Sequence, residues 1–142
     1  MMRRVRFAAL VLAAFAAVGA GSGAGASALP PLSENSHIND RLLMGLIGNA
    51  IRRNCPRIDG NRMRALAELS ALQRHAQSLG YSRAEIEAYV RDSEARADML
   101  EQRRDWLEAN GAVRGDAESY CRIGEREIAR GSYLGSLLRL VR

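Results

Sequence analysis

A length of 142 residues fits one small domain with a buried core. With 47% apolar and 26% charged residues it is globular in composition, and no internal repeat appears. The formal charge of +5 falls to +2 once the first 28 residues are set aside, because they hold three arginines and no acid; this is too mild to imply a nucleic-acid partner.

Residues 1–28 read as a secretory signal peptide. Arg3, Arg4 and Arg6 form a basic start, residues 7–18 are apolar, and Ala26-Ser27-Ala28 offers the small residues a signal peptidase needs. The uncharged stretch is long enough to span a bilayer, but its second half is Gly, Ala and Ser, so no stable membrane anchor is expected after cleavage. Residues 29–36 read as an extended leader, because Pro30-Pro31 disfavours helix. Residues 37–142 read as the folded domain.

The first helix is predicted over SHINDRLLMGLIGNAIRRN. Ser33 or Ser36 is its expected cap, and Ile38, Leu42, Leu43, Leu46, Ile47, Ala50 and Ile51 form its apolar stripe. Gly45 and Gly48 lower its propensity and suggest close helix contact. Pro56 ends it. Asp59 is placed to cap a second helix, with Met63, Leu66, Leu69, Leu72, Ala76 and Leu79 as its buried stripe and Gly80 as its stop. In YSRAEI, Ser82 and Glu85 form a capping box, with Tyr81 and Ile86 as a hydrophobic staple.

A long third helix is predicted over 83–109. Ile86, Tyr89, Val90, Ala97, Leu100 and Leu107 would face inward, and Asp92–Arg96 and Arg104–Glu108 would pair on its surface. Asp116 can cap a fourth helix reaching Arg130. A bend at Gly131 and a short last helix carrying Leu134, Leu137, Leu138 and Val141 follow. The Gly131-x-x-x-Gly135 spacing reads as bending and close packing. No period-2 run of β-branched residues appears, so no strand is expected. The fold class is all-α: a single small domain of four to five helices, stapled by one disulfide, after a cleaved signal peptide.

That disulfide is the reading given to Cys55 and Cys121. Two cysteines in an exported chain favour pairing, and closing so long a loop restricts the unfolded chain strongly. A catalytic thiol would need a base from His37 or His75, and neither carries a recognisable motif. A zinc site from Cys55, Cys121, His37 and His75 lacks the usual close ligand pairs. No metal site and no cofactor is expected.

The segments LPPLSENSHIND, GLIGNAIRRNCPRI, LGYSRAEIEAYV and SYCRIGEREIARGSYLGSLLR resemble a family of small secreted alphaproteobacterial proteins catalogued as a domain of unknown function. The resemblance implies export and a helical fold, and supplies no activity or site residues.

The function expected is therefore a periplasmic or secreted binding, structural or accessory module and not an enzyme. Its partner would be an unknown protein, and the sequence does not set its oligomeric state. Trp106, Tyr133, Leu134, Leu137 and Leu138 are the candidate contacts, with burial in the core as the competing role. One alternative is a small hydrolase or inhibitor, using Glu34 or Glu125 as acid and His37 or His75 as base, although no G-x-S-x-G appears. The other is metal or haem handling by Met44, Met63 and Met99 with His and Cys; scattered methionines are normally packing residues.

Overall fold

A computed structural model describes residues 29–141. The signal peptide proposed for residues 1–28 lies outside the described residues. A 3-10 turn, Leu32–Glu34, leads into α1, Ser36–Asn54. Then come β1, Ile58–Gly60; α2, Arg62–Ser78; α3, Arg83–Arg91; and α4, Ser93–Ala109. The chain closes with α5, Ala117–Ala129; α6, Tyr133–Ser136; and β2, Leu138–Leu140. No helix among the described residues is long and apolar enough to cross a membrane.

Local chemistry sets the helix ends, and two caps differ from expectation. Asn35, not a serine, caps α1: its Oδ1 accepts from the Ile38 N–H at 3.0 Å. Ser33 is used in the 3-10 turn, and Ser36 is already helical. Asn61, not Asp59, caps α2 by accepting from the Arg64 N–H at 3.2 Å. Asp59 sits in β1 instead, where it pairs with Arg139 at 2.7 Å. The capping box is present: the Ser82 Oγ accepts from the Glu85 N–H at 3.2 Å, and the Glu85 carboxylate accepts from the Ser82 N–H at 2.7 Å. Tyr81 and Ile86 join one cluster, as a staple requires.

The long third helix is two helices. Asp92 adopts extended backbone (φ −64°, ψ 122°) and its carboxylate accepts from the Ala95 N–H at 2.7 Å, so it ends α3 and caps α4. Its use as a cap leaves Arg96 without the expected Asp92 pair. Arg104 likewise turns to Glu101 and Asp105, each at 3.2 Å, rather than to Glu108.

The expected last helix stops at Ser136. Leu138–Leu140 pairs antiparallel with Ile58–Gly60, in the register Ile58↔Leu140, Asp59↔Arg139, Gly60↔Leu138. Three-residue strands are too short to display period-2 alternation. Backbone bonds from Asn61 to Leu137 (2.8 Å) and from Val141 to Arg57 (2.9 Å) extend the pairing on both sides.

The main core joins α1, α5, α6 and both strands through Ile47, Ile51, Ile58, Ile123, Leu134 and Leu138. The Cys55–Cys121 disulfide lies within it and ties the end of α1 to α5. A smaller cluster of Leu32, Ile38, Leu72, Ala76 and Tyr81 holds the leader and the α2–α3 corner. Two tyrosines lock that region: Tyr81 donates to the Pro30 carbonyl at 2.6 Å, and Tyr89 donates to Asn39 Oδ1.

Arg57 reaches across to α5, bonding Glu118 (2.9 Å) and Glu125 (2.9 Å). The Arg57 hydrogen bond holds Glu118 below the usual carboxylate range. Arg139 does the same for Asp59, and the Ser82 N–H for Glu85. Carboxyls depressed in the folded state stabilise it above their unfolded pKa, and that contribution is lost as pH falls through the folded value. The urea midpoint is therefore expected to stay level above about pH 5 and to fall below about pH 4. Glu118→Gln should flatten part of that fall. A midpoint that rises on acidification would contradict these assignments.

Candidate functional site

α2 has more apolar surface than its neighbours cover. Of its predicted stripe only Leu72 and Ala76 are buried; Met63, Leu66, Leu69 and Leu79 are exposed, Met63 at 78%. Val90 and Leu100, also expected inside, are exposed as well, as is Ala97. α3 and α4, separated by the extended backbone at Asp92, border a trough with α1 and α2 and leave these side chains uncovered.

That trough is a groove of about 430 Å³. α1 forms its floor with Leu42, Gly45 and Leu46, and α2 one wall with Ala65, Leu69 and Leu72. The opposite wall is Tyr89 and Val90 of α3 with Ala95 and Met99 of α4, and Tyr133 and Leu137 line it from the C-terminal segment. Its volume is in the range of ligand sites. The polar groups are few. Arg41 places its guanidinium 3.8 Å from the centre of the Tyr133 ring, a cation–π contact. Glu68 pairs with Arg64 at 2.8 Å. Arg96 lines the groove and makes no ion pair among the described residues. Burial pushes the Tyr133 phenol up and the Glu68 charge adds to the shift, while a hydrogen bond from Arg41 opposes it. Burial also raises Tyr89, with the charges of Asp92 and Asp98 behind it.

The residues singled out in the sequence separate cleanly. Cys55 and Cys121 form the disulfide. Leu134 and Leu138 are core residues, 2% and 5% exposed, which removes them as contacts in this conformation: α6 and β2 fold back onto α1 and α5. Leu137 is also buried but faces the groove, and Tyr133 is half-buried in its wall. Trp106 is half-buried against the main core, away from the groove lining. His37 and His75, far apart in sequence, meet edge to face with ring centres 4.9 Å apart. Among the described residues no group of three or more His, Cys, Asp or Glu is placed to hold a metal ion. Glu125 is committed to Arg57.

Arg41, Gly45, Glu68 and Arg96 were not legible as site residues. Of these only Gly45 gave a signal, and that as a close helix contact, which the structure does not show. Its Cβ position meets nothing within 4 Å. Gly45→Ala should therefore raise stability by roughly 0.5–1 kcal/mol, since alanine is the better helix former and displaces nothing. A thermal melt reads this as a rise of a few degrees; a fall would mean that the site is not open.

No curated protein and no solved structure matches the chain. One family model does, over residues 30–139, from the leader through α1–α6 to the second strand. On that match the chain belongs to the family of unknown function DUF5333.

Proposed function

We propose that the protein is an exported, non-enzymatic accessory module that engages a protein partner through the groove between α1, α2 and the α3–α4 pair. The observation that carries this reading is the aliphatic groove itself. Its walls include Leu69 and Val90, which are 54% and 61% exposed, and groove-lining apolar side chains left in water mark an interaction site. The lining is almost wholly aliphatic and aromatic, which suits binding better than proton transfer or nucleophilic attack. Export is supported by the basic-apolar-small pattern of residues 1–28, and by a buried disulfide of the kind that persists in oxidising compartments.

The test is a polarity-sensitive apolar dye titrated into the purified protein. Saturable binding at one site per chain is expected. Gly45→Phe should weaken it at least about tenfold by placing a ring on the groove floor. Dye binding that Gly45→Phe leaves unchanged would refute the groove as the site.

A further inference from the structure

The chain has two histidines, and the fold brings them together. His37 lies in the first turn of α1 and His75 in the last turn of α2. We infer that their imidazoles form a chelating pair for a divalent transition-metal ion of the imidazole-preferring kind, such as Zn²⁺ or Cu²⁺, which clips the start of α1 to the end of α2. The inference does not rest on the groove, whose lining includes neither residue.

Spacing carries it. A metal-bound imidazole nitrogen lies about 2.0–2.1 Å from the ion, which puts the ring centre about 3.2 Å from it. Two such rings subtending about 90–110° at one ion have centres roughly 4.5–5.3 Å apart. The ring centres of His37 and His75 are 4.9 Å apart. Their planes are inclined at 66°, so the rings are not stacked face to face. Turning a nitrogen of each toward one point takes rotation about χ2, a broad torsion in histidine.

The ligands are both available and held. Neither ring makes a hydrogen bond or ion pair among the described residues. His37 is exposed and His75 half-buried, so water and ions reach them. Each is followed in the chain by a buried residue of one shared apolar cluster, Ile38 and Ala76. Packing therefore fixes the backbone at both ligands before any ion arrives, which is the preorganisation a site needs. The charges that flank them along the chain balance. Glu34 and Asp40 lie three residues before and after His37, against Arg41 on α1 and Arg74 beside His75. No excess positive charge along these segments opposes a cation.

No third His, Cys, Asp or Glu joins the pair among the described residues, so water completes the ion's shell. The cysteines, the expected companions of these histidines in a zinc site, are joined in the disulfide. The site is thus an exchangeable one with open positions, not a four-ligand structural centre.

The experiment titrates ZnCl₂ into the untagged, oxidised protein after chelator treatment and follows the imidazole signals by NMR, with MgCl₂ as the control ion. Both histidine signals should shift together and saturate at one Zn²⁺ per chain, while Mg²⁺, which prefers oxygen ligands, moves neither. His37→Ala and His75→Gln should each weaken binding at least about tenfold. The glutamine keeps a side chain of similar size at the half-buried position. Zn²⁺ at a hundredfold excess over its Kd should raise the folded-to-unfolded ratio by up to about a hundredfold in the parent and in neither variant, read as a rise in the urea midpoint.

Binding that survives undiminished in either single variant would reduce the site to one surface histidine and overturn the chelate. A shift of one ring alone, or no saturation below about 1 mM Zn²⁺, would do the same. A urea midpoint unchanged at saturating Zn²⁺ would refute the clip between the helices.

Discussion

Removing the Cys55–Cys121 bond is expected to lower the unfolding free energy by about 2–4 kcal/mol, a large part of the ~5–15 kcal/mol typical of a domain this size. The cysteines are 66 positions apart. The loop-entropy relation gives about 4 kcal/mol for a closure of that length, and real bridges often deliver less. The bond also joins elements that matter to the groove. Cys55 ends α1, whose earlier turns are the groove floor; Cys121 sits in α5, which carries the main core. The measurement is the guanidinium midpoint of the Cys55→Ala/Cys121→Ala double variant against the oxidised protein, followed by Trp106 fluorescence. A difference below about 1 kcal/mol would show that direct packing of α1 on α5, with the Arg57 pairs to Glu118 and Glu125, suffices without the covalent tie.

The fold was most legible where the information is local. The Ser82–Glu85 box, Gly80 at the end of α2, Asp116 before α5 and Gly131 at the bend all rest on side-chain or backbone preferences within four residues, and the structure has each in place. Gly80 and Gly131 both take positive φ, at 103° and 64°. Errors arose where two local signals compete. In the sequence Asp92 reads only as a surface pair with Arg96; in the structure its carboxylate caps α4 instead, because it satisfies an otherwise unpaired backbone N–H. The strands escaped notice because their partners lie 80 residues apart and each contributes only three residues.

The groove was illegible for a related reason. A helix stripe in sequence states which residues want burial, not which of them find a neighbour. On α2 the stripe read correctly as apolar, yet Leu69 stays half in water, because no described neighbour closes over it. The apolar C-terminal residues gave the opposite lesson. Leu134 and Leu138 looked like a surface for partners, but α6 carries Leu134, and the pairing of β2 with β1 carries Leu138, into the main core. Tyr133 and Leu137, interleaved with them, line the groove instead. One short segment thus serves both the core and the candidate site.

That double role makes Gly135→Ala the most damaging small substitution to expect. An added Cβ would lie 2.1 Å from the Glu127 carbonyl oxygen, 2.5 Å from its carbon and 2.8 Å from the Ile128 nitrogen. These are backbone atoms of α5, so no side chain can swing aside; α6 must lift away from α5. Lifting it pulls the Ser132 hydroxyl, the cap of α6, away from the buried Glu127 carboxylate to which it donates at 2.6 Å, leaving that carboxylate with its α5 neighbour Arg130 at 2.7 Å. It would also draw Leu134 out of the core and loosen the start of β2. The expected loss is about 3 kcal/mol, at the upper end for overpacking, because a buried carboxylate loses a hydrogen-bond donor at the same time. Gly48→Ala is the matched control. Its Cβ would meet Leu134 and Leu138 at 3.4 and 3.7 Å, ordinary contact distances, so it should be neutral or slightly stabilising. Denaturant midpoints for the two variants should therefore move in clearly different ways. Dye binding should weaken in Gly135→Ala even under conditions where it remains folded, since Tyr133 and Leu137 move with α6. A Gly135→Ala variant with native stability would mean that α6 does not pack on α5, and with that the Tyr133–Leu137 wall of the groove would be lost.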